Sequence, residues 1–202
     1  MTGSNRPEQL RLFVAVTLPA EARAELAEVI ARLRAAELRG VRTVAPEGVH
    51  ITLKFLGNVD AERVPALSDA LGAAVGGAAP FELALEGVGA FPDGGTPRVL
   101  WAGVTGETRS LAALARAVDE ACAGLGFPRE RRAFSPHLTI ARLRDTATVE
   151  DRRQAAEALT AVGLERSDGF RVDEVHLIKS TLTPLGAVYE SMHTTRLARR
   201  GS

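Results

Sequence analysis

Cysteine is almost absent from this 202-residue chain, where Cys122 stands alone. One thiol cannot close a disulfide within the chain, and a cysteine-rich zinc site is excluded with it. Cys122 falls in an alanine-rich helical pattern, which predicts a buried, inert thiol. Lysine is scarce as well: Lys54 and Lys179 are the only two, and arginine supplies the rest of the basic side chains. Net charge is missing, since lysine plus arginine equals aspartate plus glutamate at 25 each. A neutral chain is ill suited to coating long nucleic acid, where affinity rests on many phosphate contacts. It can still bind one small anion or one strand end. Long apolar runs are also missing. Met1 to Leu10 lacks the uninterrupted apolar stretch of a signal peptide, and no segment reaches the length of a membrane span. The expectation is a soluble cytoplasmic protein with no membrane partner.

Apolar residues make up 46% of the chain, enough for a packed interior. Strand patterns are read at Arg11–Val16, Val49–Leu56 (closed by a turn at Gly57-Asn58), Phe81–Val88, Arg98–Val104, His137–Leu143, Phe170–Ser180 and Ala187–Met192. Helical spacing is read in Leu26, Val29, Ile30 and Leu33 after Pro19, in Val64, Leu67 and Leu71, and in Leu111, Leu114, Val118 and Cys122. A capping box at Thr148 and Asp151 opens a fourth helix ending near Val162. Pro92-Asp93-Gly94-Gly95-Thr96-Pro97 reads as a hairpin turn. Strands outnumber helices without strict alternation, which favours α+β with antiparallel pairing. Residues 1–10 and 196–202 are expected to be flexible tails around a single domain at 11–195.

One long-range repeat carries the chemical signal. Gly48-Val49-His50-Ile51-Thr52-Leu53-Lys54 is similar to Ser135-Pro136-His137-Leu138-Thr139-Ile140-Ala141. Each copy is His-x-Thr-x with aliphatic residues at x. Side chains alternate along a strand, so His50 and Thr52 point one way, roughly 7 Å apart. Ile51, Leu53 and Phe55 are then expected to point into a core, and Lys54 to share the face of His50 at its rim. His137 and Thr139 repeat the arrangement. If the two strands face each other across a cleft, two imidazoles and two hydroxyls converge.

That set suits phosphoryl transfer: hydrolysis of a cyclic phosphate needs one group to take a proton from water and another to give one to the departing ribose oxygen. Histidine suits both roles, with an ordinary pKa of about 6.5. Threonine hydroxyls can donate to the non-bridging oxygens as charge builds. A zinc site is the rival use of clustered histidines, but His-x-Thr-x supplies one ligand per strand and nothing completes a tetrahedral set. His176 alternates with core positions and reads as a core or interface histidine; His193 carries no accompanying pattern. Arg129–Arg132 reads as a solvated loop.

Taken together, these segments resemble the RNA 2′,3′-cyclic phosphodiesterases, also called 2′-5′ RNA ligases, within the two-histidine phosphoesterases. The resemblance runs from Arg11-Leu12-Phe13-Val14-Ala15-Val16 through both histidine motifs, Phe91-Pro92 and Pro97-Arg98-Val99-Leu100-Trp101, to Leu177-Ile178-Lys179-Ser180 and Gly186–Tyr189. It implies a bilobal fold, two antiparallel-sheet lobes related by a pseudo-twofold axis with helices on the outer faces. It implies hydrolysis of a terminal 2′,3′-cyclic phosphate to a 2′-phosphate without metal or other cofactor, with 2′-5′ ligation as the reverse reaction. In this assignment His50 gives the proton, His137 activates water, and Thr52 and Thr139 hold the phosphate. Arg142 would neutralise it, although alternation from His137 sends Arg142 to the opposite face unless the strand bulges. Phe13 and Trp101 are candidates for stacking on a base or for core packing. The implied partners are RNA ends or 2′,3′-cyclic nucleotides, bound by a monomer. A small cyclic phosphate of ADP-ribose type, or RNA-end binding without catalysis, are the alternatives.

Overall fold

The computed structural model describes residues 7–93, 96–184 and 186–198. In chain order the elements are β1 (Gln9–Thr17), α1 (Ala20–Ala35), β2 (Val41–Thr43), β3 (His50–Asp60), α2 (Val64–Val75), β4 (Phe81–Phe91), β5 (Val99–Gly106), α3 (Thr108–Gly124), β6 (His137–Leu143), α4 (Val149–Val162), β7 (Phe170–Val172), β8 (Glu174–Thr183) and β9 (Gly186–Arg196).

Local chemistry accounts for the helices. Pro19 stands at the start of α1, its carbonyl accepting from the Arg23 N–H at 3.0 Å, and buried Ala22, Leu26, Val29, Ile30 and Leu33 form one face of the helix. At α4 the Asp151 N–H donates to Thr148 Oγ1 at 3.1 Å while the Thr148 N–H donates to Asp151 Oδ2 at 2.8 Å, so the capping box forms as the sequence predicts. Arg152, buried behind it, donates to the carbonyls of Ala147, Pro97 and Arg144 and ties this helix start to the sheet.

All strand pairs are antiparallel, in the order β7-β4-β5-β6-β3-β1-β8-β9, with β2 added beside β6. The curled sheet has two four-stranded halves, and each half ends in one histidine strand. The halves meet where β3 and β6 pair through Ile51 and Leu138. The motif strands therefore do not face each other across a gap; they lie side by side at the centre of one continuous sheet. Helix α2 packs on α3 and α1 on α4, with α3 against β3 and α4 against β4. The main core lies beneath these helices, from Leu12, Val14 and Ile51 to Leu100, Leu138 and Ile140. A smaller cluster of Phe13, Ala15 and Ile178, with Tyr189 against it, occupies the opposite, concave face.

Several boundaries differ from the sequence reading. Strand β1 starts at Gln9 and buries Leu10, so these residues are not tail. At the other end Arg196 closes β9, and Leu197 is buried with its N–H donating to Asp173 O at 2.8 Å. Residues 1–6 and 199–202 lie outside the described residues, as do Gly94 and Gly95 of the expected turn. The expected stop at Gly57-Asn58 is a bulge: β3 runs on to Asp60, and Gly57 takes φ +75° where Leu12 pairs with Gly57 but Phe13 with Phe55. The single strand expected over 170–180 is two. Strand β7 joins β4 in one half and β8 joins β1 in the other, with Asp173 between them. Strand β2 was not anticipated, being only three residues long. Cys122 is buried, and burial pushes its thiol up to about 11. No helix among the described residues is long and apolar enough to cross a membrane.

Candidate active site

Each histidine is locked by its own motif. His50 Nδ1 lies 2.8 Å from Gly48 O, and His137 Nδ1 lies 2.8 Å from Ser135 O. A carbonyl only accepts, so both Nδ1 atoms carry hydrogen and both Nε2 atoms are left for a substrate. The turn-forming residue before each histidine thus supplies an orienting carbonyl two positions upstream. That contact is one which the sequence pattern contained but did not reveal.

The pairing of Ile51 with Leu138 fixes how the two motifs meet. Both aliphatic side chains are fully buried in the helix-side core. Continuing the antiparallel register by one residue sets His50 beside Thr139 and Thr52 beside His137, all on the concave face. Two imidazoles and two hydroxyls form a four-cornered cluster about the pseudo-twofold axis.

The imidazoles are braced by aromatic rings. Phe13 stacks on His50 with centroids 4.6 Å apart, and Tyr189 meets His50 edge-on at 5.1 Å. On the other side Phe91 meets His137 edge-on at 5.0 Å and packs on Trp101. Phe13 is 2% exposed, so it cannot offer a face to a base; it supports His50 instead. Trp101 leans over Gly89, where a Cβ would come within 2.2 Å of its ring, and stands half-buried beside Thr139 in the β5–β6 register. The exposed aromatic here is Phe55, 62% accessible and 5.9 Å from Phe13.

Two bulges explain why Phe55 and Lys54 differ from expectation. In β3 the ladder to β1 passes from Thr52 to Lys54 and skips Leu53. Leu53 and Lys54 both turn to the helix side, and Phe55 returns to the concave face. Lys54 is therefore no rim cation. It is buried, bonded to Asp119 Oδ1 at 2.6 Å and to the Pro128 carbonyl. In β6 the ladder to β5 likewise skips Ile140. Ile140 and Ala141 are both in the core, and Arg142 is exposed on the face of His137. Phe55 and Arg142, five residues after their histidines, occupy equivalent positions in the two halves.

The electrostatics follow from this arrangement. Burial lowers the proton affinity of His50 below its ordinary 6.5. The Gly48 carbonyl opposes that change, while the charges of Arg142 and His137 add to it. Arg142 is thus within electrostatic reach of His50. An anion held between these groups would reverse their effect on His50. Among the described residues no three His, Cys, Asp or Glu side chains are grouped so as to hold a metal ion. His176 is buried apart from the pair, with Nε2 3.1 Å from Thr17 Oγ1 and 3.2 Å from Glu174 Oε1.

A curled antiparallel sheet with two His-x-Thr strands at its centre defines a two-histidine phosphoesterase fold. The chain belongs to the 2′-5′ RNA ligase superfamily, whose model matches residues 18–183. An RNA 2′,3′-cyclic phosphodiesterase of Archaeoglobus fulgidus is 35% identical over 183 residues, covering 91% of this chain and 98% of that one. Among solved structures, TT0787 of Thermus thermophilus superposes with a TM-score of 0.76 at 30% identity, over 95% of this chain and 100% of that one. LigT of E. coli complexed with 3′-AMP gives 0.71 at 29% identity, with the same coverage.

Proposed function

We propose that this protein hydrolyses the 2′,3′-cyclic phosphate at an RNA end to a 2′-phosphate, with His50 and His137 as the acid and base. The observation that carries this is the matched pair of Nδ1–H bonds to Gly48 and Ser135, which leaves both Nε2 atoms free on two adjoining strands. Water attacks phosphorus and loses a proton to His137 Nε2. The bond from phosphorus to O3′ breaks, and His50 Nε2–H delivers a proton to O3′. The product is a 2′-phosphate beside a free 3′-hydroxyl, and the two imidazoles have exchanged protonation states. Thr52 and Thr139 donate to the non-bridging oxygens, and Arg142 balances their charge. The same displacement with a 5′-hydroxyl in place of water gives a 2′-5′ linkage, and abundant water favours hydrolysis.

The direct test is turnover of a 2′,3′-cyclic mononucleotide and of an oligonucleotide with a cyclic phosphate end, in excess EDTA, with the phosphate position read by NMR. A 2′-phosphate is expected from both. A 3′-phosphate would overturn the regiochemistry, and loss of activity only on chelation would overturn the two-imidazole mechanism.

The pH dependence has a definite sign. As the proton donor, His50 must carry its proton, and loss of that proton sets the basic limb of kcat/KM. Because burial lowers that pKa, the basic limb is expected at lower pH than an unperturbed imidazole would give. Arg142 is one cause of the lowering, so Arg142→Gln should move this limb to higher pH while reducing kcat/KM by roughly tenfold. An unmoved limb in that variant would show that Arg142 does not act on the reacting pair.

A further inference from the structure

Strand β2 places a second arginine beside the first. Its ladder to β6 pairs Val41 with Leu143, Arg42 with Arg142, and Thr43 with Ala141. The flanking pairs face the helix side: Leu143 and Ala141 are in the core, and Thr43 Oγ1 accepts from Arg34 of α1 at 3.0 Å. Side chains alternate, so Arg42 and Arg142 share the concave face, with Cβ atoms roughly 5 Å apart. Like charges directly opposite on neighbouring strands are destabilising. Here nothing neutralises them, because among the described residues neither arginine forms an ion pair with a carboxylate. Both are exposed. Arg42 is held by one contact, Nη2 donating to Pro184 O at 3.2 Å in the β8–β9 turn, which leaves its charge and other donors free.

Two unneutralised guanidinium groups, one within electrostatic reach of His50 and the other opposite it on β2, further along the edge of β6 that also carries β3, suit two successive phosphates. From this geometry we infer that Arg42, together with Arg142, forms a second anion subsite for the phosphodiester preceding the terminal cyclic phosphate of an RNA strand. The inference rests on the hydrolase reading and adds a substrate preference to it: a chain end is selected over a free cyclic nucleotide. Arg142 serves the reacting phosphate, and Arg42 serves the one that only an oligonucleotide possesses. Guanidinium groups suit this role because their planar forks match phosphate oxygens.

The test compares Arg42→Gln and Arg42→Lys with the unaltered protein on a 2′,3′-cyclic mononucleotide and on a trinucleotide ending in the same group. For Arg42→Gln the ratio of kcat/KM, trinucleotide over mononucleotide, should fall about tenfold. The slope of log kcat/KM for the trinucleotide against log salt should become shallower by about 0.7, one released counterion on a single strand. Arg42→Lys, which keeps the charge, should keep the slope. An equal loss on both substrates would overturn the subsite and assign Arg42 to holding the β8–β9 turn, and no change on either would overturn it outright. If the unaltered protein turns over neither substrate, the hydrolase reading fails, and the subsite is judged separately by fluorescence anisotropy with a labelled trinucleotide 2′-phosphate. There a roughly tenfold weaker affinity of Arg42→Gln supports it and an equal affinity overturns it.

Discussion

Replacing His137 by alanine is expected to cut turnover of a cyclic phosphate by about 10² to 10⁴ while leaving the protein folded. The same holds for His50→Ala. The fold should survive because neither imidazole belongs to the main core, which lies on the other side of the sheet. Only one hydrogen bond is lost in each case, to Ser135 O or to Gly48 O. The two effects should not add: with one partner gone the proton inventory no longer closes, so the double variant should be little slower than either single one. Steady-state rates beside far-ultraviolet circular dichroism and a melting curve check this. Normal turnover by either single variant would remove the acid–base pair from the mechanism.

Asp119→Ala is expected to destabilise the fold by about 3 kcal/mol without touching the reacting groups. It strands the Lys54 ammonium, whose side chain is 5% exposed, with the Pro128 carbonyl as its remaining partner. For a chain of this size the melting temperature should fall by roughly 6–12 °C. Lys54→Met should cost less, about 1 kcal/mol. It leaves Asp119 at 17% exposure, able to take water and still accepting the Glu130 N–H at 3.0 Å. Equal losses would contradict the asymmetry in burial. The pair also sets a pH window. Partial burial tends to raise the Asp119 pKa, but the bond from Lys54 and that from the Glu130 N–H outweigh it, and the net shift is below 3.8. A carboxyl lowered on folding stabilises fully above its unfolded pKa, and that stability is lost as pH falls through the folded value. Its contribution should therefore persist through the neutral range and disappear only in strong acid. Turnover per folded molecule should survive in Lys54→Met, because Lys54 points away from His50.

Much of this molecule was legible in local pattern. Strand β6, helix α4 and its capping box follow from alternation, helical spacing and the Thr148–Asp151 exchange, which are properties of a few neighbouring residues. The co-facing of each histidine with its threonine follows from the same two-residue period, since no bulge interrupts either His-x-Thr segment. The split between β7 and β8 was not legible, because one apolar alternating run serves equally as one strand or as two with different neighbours. Strand β2 was too short to show a period at all, and the arginine pair came with it.

What the sequence by itself determined is the four helices, most of the strands and the two histidine–threonine faces, because side-chain period and capping act over a few residues. What only the tertiary structure decided is which residues beyond the motif reach the site. Leu53 and Ile140 are each an extra residue against a neighbouring strand, and a bulge exists only relative to that neighbour. Each bulge reverses the period for everything after it. It buries Lys54, exposes Phe55 and brings Arg142 onto the face of the histidines.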